Sequence, residues 1–315
     1  MKPNQQKIIP IISLLISFGC IYFVYKKIDF NLFFDTLSNV NYLYILIASI
    51  LLYITIWVRA LRWNIILDKK FKLYDLFKIQ MVGYFANYTL PLRVGELLKS
   101  VLLGKKSSIS KSYVFGTIVI ERFLDMFMLF LMILVALFIS PIGATGDIPI
   151  YWYLLIVFII LCLFLFLFNF LKIIQVSFLK DLISNFILAY EKLNFNQFIY
   201  SSLLGIIIWI IYWINVDMIF KAFGAHVYWY QSLLILIVSS IALSIPLLPG
   251  ALGTFHLAVT FTLSSLFIID ENLILPFVTI LHGYGYLLLT IIGLYYFILD
   301  KDIGIKQLID IKRMK

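Results

Sequence analysis

Ten consecutive residues, Asn87 to Glu96, place a proline, an arginine and a glutamate within a strongly apolar stretch of the chain. Pro91 has no backbone N–H and suits the first turn of a helix, so a half-helix is predicted to begin there. The free N–H groups at such a start carry partial positive charge, and Arg93 adds a full charge beside them. Gly95 would let a neighbouring helix or a ligand approach closely. This pattern predicts an anion site suited to phosphate.

The carboxylate of Glu96 follows Arg93 at a spacing of three residues and is predicted to balance its charge. The alternative interpretation of the motif is a buried ion pair beside a proline hinge, without a ligand. Ionisable groups within membrane segments are usually functional, and this favours the anion site.

A second group of ionisable residues lies near the start of a later apolar run and consists of Glu121, Arg122 and Asp125. Glu121 and Asp125 share one helix face, and an apolar span accepts such groups only when they are paired or face water. Arg122 is predicted to pair with Glu96 or Asp125, which leaves a group for substrate or protons. The alternative is a charge cluster at the membrane interface whose side chains reach outward to water.

A third candidate segment repeats the broken-helix pattern in the second half of the chain. Pro249, Gly250 and Gly253 predict another interrupted helix whose N-terminus points toward the middle of the protein. Thr254 is predicted to donate a hydrogen bond there.

Two histidines complete the set of candidate residues. His256 follows the second glycine motif, and His282 lies in the last apolar run, roughly equivalent to Arg122. An unperturbed histidine titrates near neutral pH. The alternative for each is a hydrogen-bonded packing residue. A further group, Arg59, Arg62 and Trp63, is predicted to anchor a helix end at the membrane interface.

The elements that must position these residues are membrane helices. The chain of 315 residues is 63% hydrophobic and 13% charged, with a mean hydropathy of +1.04, whereas soluble domains carry about 25% charged residues. Six apolar runs are long enough to cross about 30 Å of hydrocarbon as helices. They are Ile8–Tyr25, Tyr42–Val58, Tyr113–Ile139, Ile150–Leu171, Phe198–Phe220 and Leu273–Leu299.

Two further apolar stretches, Leu76–Leu103 and Gln231–Ile269, are interrupted by prolines. Basic residues flank the first on both sides, and the second is followed by acidic residues only, so each is predicted to return to the side it entered. The fold class is therefore all-α: a polytopic membrane protein with six spanning helices and two re-entrant hairpins. Both termini are predicted to be cytoplasmic in the cell (inner) membrane. The net charge of +9 fits this orientation, and nucleic acid is excluded as a partner.

An internal repeat relates the two broken stretches. The pattern L-P-x-x-x-G occurs at residues 90–95 and 248–253, an offset of 158 residues. The single membrane domain is predicted to consist of a first half, 1–140, a second half, 150–299, and a short cytoplasmic tail, 300–315. Three crossings in each half invert the second copy, which is a plan of many secondary transporters.

These motifs resemble the lysylphosphatidylglycerol synthase transmembrane-region family, also called flippase-like, over nearly the whole chain. The family pattern is an arginine-tryptophan pair, then N-x-x-L-P-x-R-x-G-E, then E-R-x-x-D, then P-x-x-P-G-x-x-G. The matching residues here are Arg62, Trp63, Asn87, Leu90, Pro91, Arg93, Gly95, Glu96, Glu121, Arg122, Asp125, Pro246, Pro249, Gly250 and Gly253. The chain departs from the family at His256, where a glutamate is common, and at His282, where an arginine is common.

The resemblance implies translocation of an anionic, phosphate-bearing lipid or lipid-linked headgroup, without the aminoacyl-transfer domain of the full synthase. No cofactor is expected, and no metal site or catalytic motif occurs in the sequence. The expected ligand is a membrane phospholipid or a polyprenyl-linked lipid, and the expected protein partner is a second copy of the chain or a lipid-modifying enzyme. The alternatives are a membrane scaffold for a lipid glycosyltransferase or synthase, and a membrane transferase with Glu96, Glu121 or Asp125 as base.

Overall fold

A computed structural model of the chain describes residues 19–26, 29–68, 70–90, 93–107, 109–139, 187, 189, 191–244, 249–267 and 271–299. Nine α-helices and one short 3₁₀ helix, Pro249–Ala251, have both ends within these ranges, and residues 19–25 are helical as well. The described residues contain no strand, which confirms the all-α prediction. The α-helices are α1 Phe30–Ser38, α2 Tyr42–Ile66, α3 Leu73–Thr89, α4 Gly95–Lys106, α5 Lys111–Ile139, α6 Phe195–Ala222, α7 Trp229–Ser244, α8 Thr254–Leu266 and α9 Glu271–Leu299.

Three described helices are long and apolar enough to cross a membrane: Tyr42–Ile66, Phe195–Ala222 and Asn272–Leu299. They carry rows of outward-facing apolar side chains, such as Leu46 and Ile50 on α2. Soluble monomers rarely expose such continuous apolar surface, so lipid is the natural surrounding of these faces. The predicted span Ile150–Leu171 and residues 8–18 of the predicted first span lie outside the described residues.

Both apolar stretches with proline interruptions are broken into two helices, as the sequence predicted. α3 ends at Thr89 and α4 begins at Gly95, so the second helix begins later than the predicted start at Pro91. α7 ends at Ser244, and α8 begins at Thr254 after the 3₁₀ turn. Pro91 and Pro246 lie outside the described residues.

The two breaks share an unusual backbone conformation. Arg93 has a φ of 49° and Ala251 a φ of 55°, in the left-handed region that few residues other than glycine adopt. These two positions are separated by 158 residues, which is the offset of the L-P-x-x-x-G repeat. The repeated sequence therefore produces a repeated local structure.

The order of helix lengths also repeats. Helices α2 to α5 contain 25, 17, 12 and 29 residues, and helices α6 to α9 contain 28, 16, 13 and 29. Contacts between the halves follow the same correspondence: α2 packs against α6, α3 packs against α9, and α7 packs against α5. Helices α2–α5 and α6–α9 therefore correspond in order and in length.

Two glycines allow α3 and α4 to lie unusually close together. A Cβ atom on Gly95 would collide with the carbonyl oxygen of Gly83 and with the side chain of Asn87. A Cβ atom on Gly83 would lie 2.6 Å from Cγ of Lys99. The predicted close approach at Gly95 is therefore made by a neighbouring helix, and it fixes the geometry of the first hairpin.

We predict that Gly95→Ala destabilises the protein, because the methyl group meets backbone and a hydrogen-bonded side chain. Overpacking of this kind costs about 1–3 kcal/mol. Gly283→Ala is the matched control, since a Cβ atom there has no neighbour within 4 Å. Thermal unfolding in detergent measures both variants, and equal midpoints would contradict the tight crossing.

Candidate anion-binding site

A buried ion-pair network joins α2 to α5. Asp125 accepts hydrogen bonds from Nη2 of Arg59 at 2.7 Å and from Nη1 of Arg62 at 2.8 Å. Arg62 is fully buried and also lies 3.4 Å from Oε1 of Glu121, which is fully buried as well. Removing charges from water is costly unless they are paired and hydrogen-bonded, so this network forces α2 and α5 into one relative position.

The predicted role of Arg59, Arg62 and Trp63 as interface anchors is wrong. α2 was predicted to end at Val58, but it continues to Ile66 and carries all three residues into the protein interior. The indole N–H of Trp63 donates to Oγ1 of Thr117 on α5 at 3.0 Å. The carboxylates of α5 offset the charge that would otherwise have kept this part of α2 at the membrane surface.

Arg122 forms the outer part of the network. Its Nη2 lies 3.2 Å from Oδ2 of Asp125, and 34% of its side chain is exposed. Of the two predicted partners, Asp125 is therefore the one that makes the close pair. Nε of Arg122 and both Nε and Nη1 of Arg59 are buried and have no hydrogen-bond partner among the described residues. Buried donors without partners are rare and require an explanation, such as a bound acceptor.

Glu96 pairs with Lys99 rather than with Arg93, which corrects the predicted partner. The distance from Nζ of Lys99 to Oε2 of Glu96 is 2.5 Å, and Lys99 also donates to Oε1 of Gln80 at 3.3 Å. Sequence reasoning missed Lys99, although it follows Glu96 at the same three-residue spacing by which Arg93 precedes it. The residue that makes the pair possible is Gly83, which leaves room for the lysine side chain across α3.

Asn87 caps the start of α4. Its Oδ1 accepts the backbone N–H of Gly95 at 2.9 Å, and its Nδ2 donates to Oε1 of Glu96 at 3.5 Å. One of the four free N–H groups at this helix start is therefore satisfied within the protein. The predicted anion site at the helix start is thus partly filled by an amide side chain, and the arginines supply most of the remaining donors.

The tips of the two broken hairpins meet. A guanidinium N–H of Arg93 donates to the carbonyl oxygen of Leu243, near the end of α7. In the second hairpin Gly250 lies against the rings of Tyr88 on α3 and Tyr286 on α9, which leave no room for a Cβ atom. The candidate residues from both halves are therefore brought to one region of the molecule.

The candidate residues His256 on α8 and His282 on α9 lie close to the tip of the second hairpin. Nε2 of His282 is 2.8 Å from the carbonyl oxygen of Gly250, and the rings of His256 and His282 are 5.1 Å apart. The hydroxyl group of Thr254 donates to the carbonyl oxygen of Ala251 at 3.2 Å, within the same tip. Gly253 has a φ of 91° and immediately precedes α8.

The polar region around the tips carries an excess of positive charge. Five basic side chains stand against three carboxylates, an excess of two positive charges. The basic residues are Arg59, Arg62, Arg93, Lys99 and Arg122, and the acidic residues are Glu96, Glu121 and Asp125.

The members of this polar region also act on one another beyond their direct pairs. Arg122 interacts electrostatically with Glu96, Asp125 and Arg59, and Arg93 interacts with Arg122 and Glu96. Unbalanced charge inside an apolar protein is stabilised when an anion binds beside it.

Comparisons with known proteins place the chain in a family. A family model described as the lysylphosphatidylglycerol synthase TM region matches residues 11–293. A UPF0104 membrane protein of Methanocaldococcus jannaschii is 29% identical over 137 residues, which cover 41% of this chain and 40% of that protein. The similarity therefore spans less than half the length of this relative. No solved structure matches the chain.

We predict that Asp125→Ala destabilises the protein strongly, because it leaves Arg59 and Arg62 buried without their shared partner. Breaking a buried ion pair costs about 3–5 kcal/mol. Asp217→Ala is the control, since Asp217 pairs at 2.8 Å with Lys221 on the surface, where side chains are 32% and 47% exposed, and such pairs contribute within about 1 kcal/mol. Unfolding in detergent compares the two, and similar losses would contradict a structural role for the network.

Proposed function

Because the chain belongs to the lysylphosphatidylglycerol synthase TM region family, we propose that it moves an anionic, phosphate-bearing lipid or lipid-linked headgroup across the cell membrane. The observation that carries this proposal is the excess of two positive charges around the meeting tips of the hairpins. This polar region contains the buried arginine N–H groups that have no partner among the described residues. A phosphate supplies both the negative charge and the acceptor oxygens that these groups lack.

The headgroup would enter beside Arg122, the most exposed arginine of the ion-pair network, whose side chain is 34% exposed. Arg59 lies behind it, with Nε and Nη1 available to phosphate oxygens. The acyl or prenyl tails would stay in the bilayer against the outward apolar faces of the long helices. Only the polar head then needs a path through the protein.

Five polar aromatic side chains surround this path. Tyr84, Tyr88, Tyr212, Tyr284 and Tyr286 come from three different helices and interact electrostatically with one another. Tyr212 also interacts with Arg59 and Arg122. Tyrosine combines an apolar body with a hydroxyl group, and this suits a path that must accept both a charged headgroup and the first part of its apolar tails.

Movement would follow from the matched halves. We propose that each half contains two membrane spans, then a broken hairpin, then a third span. The second half would be inverted relative to the first, and the two halves together would cross the membrane six times. The equivalent contacts α3–α9 and α7–α5 support this arrangement, since each hairpin is held by the last long helix of the opposite half. Rocking one half against the other would expose the tips first to one side and then to the other.

We predict that Arg122→Gln slows lipid movement about tenfold or more, because a charge-assisted hydrogen bond contributes about 1.5–3 kcal/mol. The assay follows a fluorescent phosphatidylglycerol between the leaflets of proteoliposomes that contain the purified chain. Lys221→Gln is the charge-matched control, since this lysine pairs with Asp217 on the surface.

The same assay separates the alternatives. If the wild-type protein moves lipid and the Arg122→Gln variant moves it at the same rate, Arg122 is not part of the path. Conversion of the lipid to a new product without movement would indicate a transferase. Activity only in the presence of a co-purified enzyme would indicate a scaffold.

A second prediction concerns the charge of the headgroup. Each of the three carboxylates in the region already has a basic partner, so a lysyl ammonium group would have to compete with an arginine or a lysine for it. Phosphatidylglycerol should therefore compete with the fluorescent substrate about tenfold better than lysyl-phosphatidylglycerol, which corresponds to about 1.4 kcal/mol. Equal competition by the two lipids would contradict an excess of positive charge at the site.

A further inference from the structure

Two histidines lie together behind the tip of the second hairpin, apart from the arginine network. His256 is on the first turn of α8 and His282 is on α9, and they are only 7% and 6% exposed. Their ring centroids are 5.1 Å apart, with the planes nearly perpendicular at 83°. We call these two residues the histidine pair.

The hydrogen bonds of the pair define where a proton can bind. The carbonyl oxygen of Gly250 can only accept, so Nε2 of His282 carries a hydrogen and Nδ1 holds the lone pair in the neutral ring. Nδ1 of His256 is buried without any hydrogen-bond partner in the described part of the chain. A buried N–H without an acceptor is costly, so this nitrogen is assigned a bare lone pair in the neutral form. A histidine that served packing alone would normally have such a group satisfied.

The surroundings of the pair contain no compensating negative charge among the described residues. The titratable groups that face it are Tyr25, whose ring is 6.0 Å from His256, and Tyr286, whose ring is 5.8 Å from His282. Phe255 stacks on His282 at 4.5 Å. Because Thr279 already donates its hydroxyl hydrogen to the carbonyl oxygen of Leu275, Tyr25 is the donor in its 2.6 Å hydrogen bond to Thr279.

This arrangement limits the pair to a single proton. Two imidazolium rings 5.1 Å apart would repel each other in an apolar region, so protonation of one ring opposes protonation of the other. The single charge would lie beside the hairpin tip that contacts Tyr88 and Tyr286. The pair can therefore hold at most one added proton at a time, at a position next to the proposed headgroup path.

We propose that the histidine pair is the proton site that couples headgroup movement to a transmembrane proton gradient. This inference rests on the proposed function. One neutral imidazole takes up a proton on the side where the anionic headgroup enters, and the resulting imidazolium releases it on the other side. Proton and headgroup then move in the same direction, and one negative charge of the headgroup is balanced by the proton.

The tip provides the physical connection between the two sites. The ring of Tyr286 faces the ring of His282, and the ring centroids of Tyr88 and Tyr286 are 5.1 Å apart. Tyr88 in turn interacts electrostatically with Arg93. A positive charge on the pair adds to the positive field around the tips, so a bound proton favours a bound anion. The reverse holds equally, because coupling between two binding sites is reciprocal.

The test uses proteoliposomes with the purified chain, fluorescent phosphatidylglycerol and an imposed pH difference. For one proton moved with each lipid, a gradient of one pH unit should shift the leaflet ratio of the lipid about tenfold. Proton uptake, followed with a pH-sensitive dye inside the vesicles, should accompany lipid movement. The protein has three histidines in total, and exposed His226 provides the matched control His226→Gln.

His282→Gln keeps an N–H donor for Gly250 but cannot be protonated, and His256→Asn places a non-titrating amide at the Nδ1 position. Both should retain lipid movement without a gradient and lose the tenfold response, whereas His226→Gln should keep it. If one variant does not fold, the other decides the question.

The proton site would be overturned, with the proposed function left intact, by either of two results. One is wild-type lipid movement that does not respond to the pH difference, and the other is a full response in the folded variants. Absence of any lipid movement by the wild-type protein would instead overturn the proposed function.

Discussion

The shared use of Asp125 by arginines on two helices is the interaction on which the rest of the site depends. Arg59 and Arg62 come from α2, whereas Asp125, Glu121 and the more exposed Arg122 come from α5. Charges in an apolar interior require partners, so these helices cannot slide or rotate independently without exposing an unpaired charge. The network thereby fixes the relative position of α2 and α5, against which the first hairpin packs. It also leaves these two helices with more positive than negative charge in this region.

The two hairpin tips contribute different residues to the site. The first hairpin contributes Arg93 and the Glu96–Lys99 pair, and it is packed tightly through Gly83 and Gly95. The second hairpin contributes carbonyl groups and His256, and His282 on α9 forms a hydrogen bond with the carbonyl oxygen of Gly250. The two hairpin tips therefore have different chemistry around them: fixed positive charge at the first and titratable nitrogen at the second. This difference is what makes the region suited, in our proposal, to an anion and a proton together.

Several features of this fold and site were predictable because they arise from local sequence. Long apolar runs determine membrane helices, since each backbone group must be satisfied within its own segment. The proline and glycine motifs determine the two helix breaks, and the positions of Arg93 and Ala251 show the same left-handed backbone. The pairing of Arg122 with Asp125 follows from their three-residue spacing on one helix. The sequence also indicated the family, which the match over residues 11–293 confirms.

The remaining features were decided only when distant segments came together. Local hydropathy predicts that α2 ends just before Arg59. Carboxylates 59 to 66 positions away in the sequence pair with Arg59 and Arg62, and these pairs keep the last part of the helix buried. Glu96 could pair with a basic residue three positions before or after it, and the space above Gly83 selects Lys99. The contact between Arg93 and Leu243 spans 150 residues. Spacing along the chain determines which groups lie on one helix, whereas the pairing of buried charges depends on which helices pack together, and packing is a property of the whole fold.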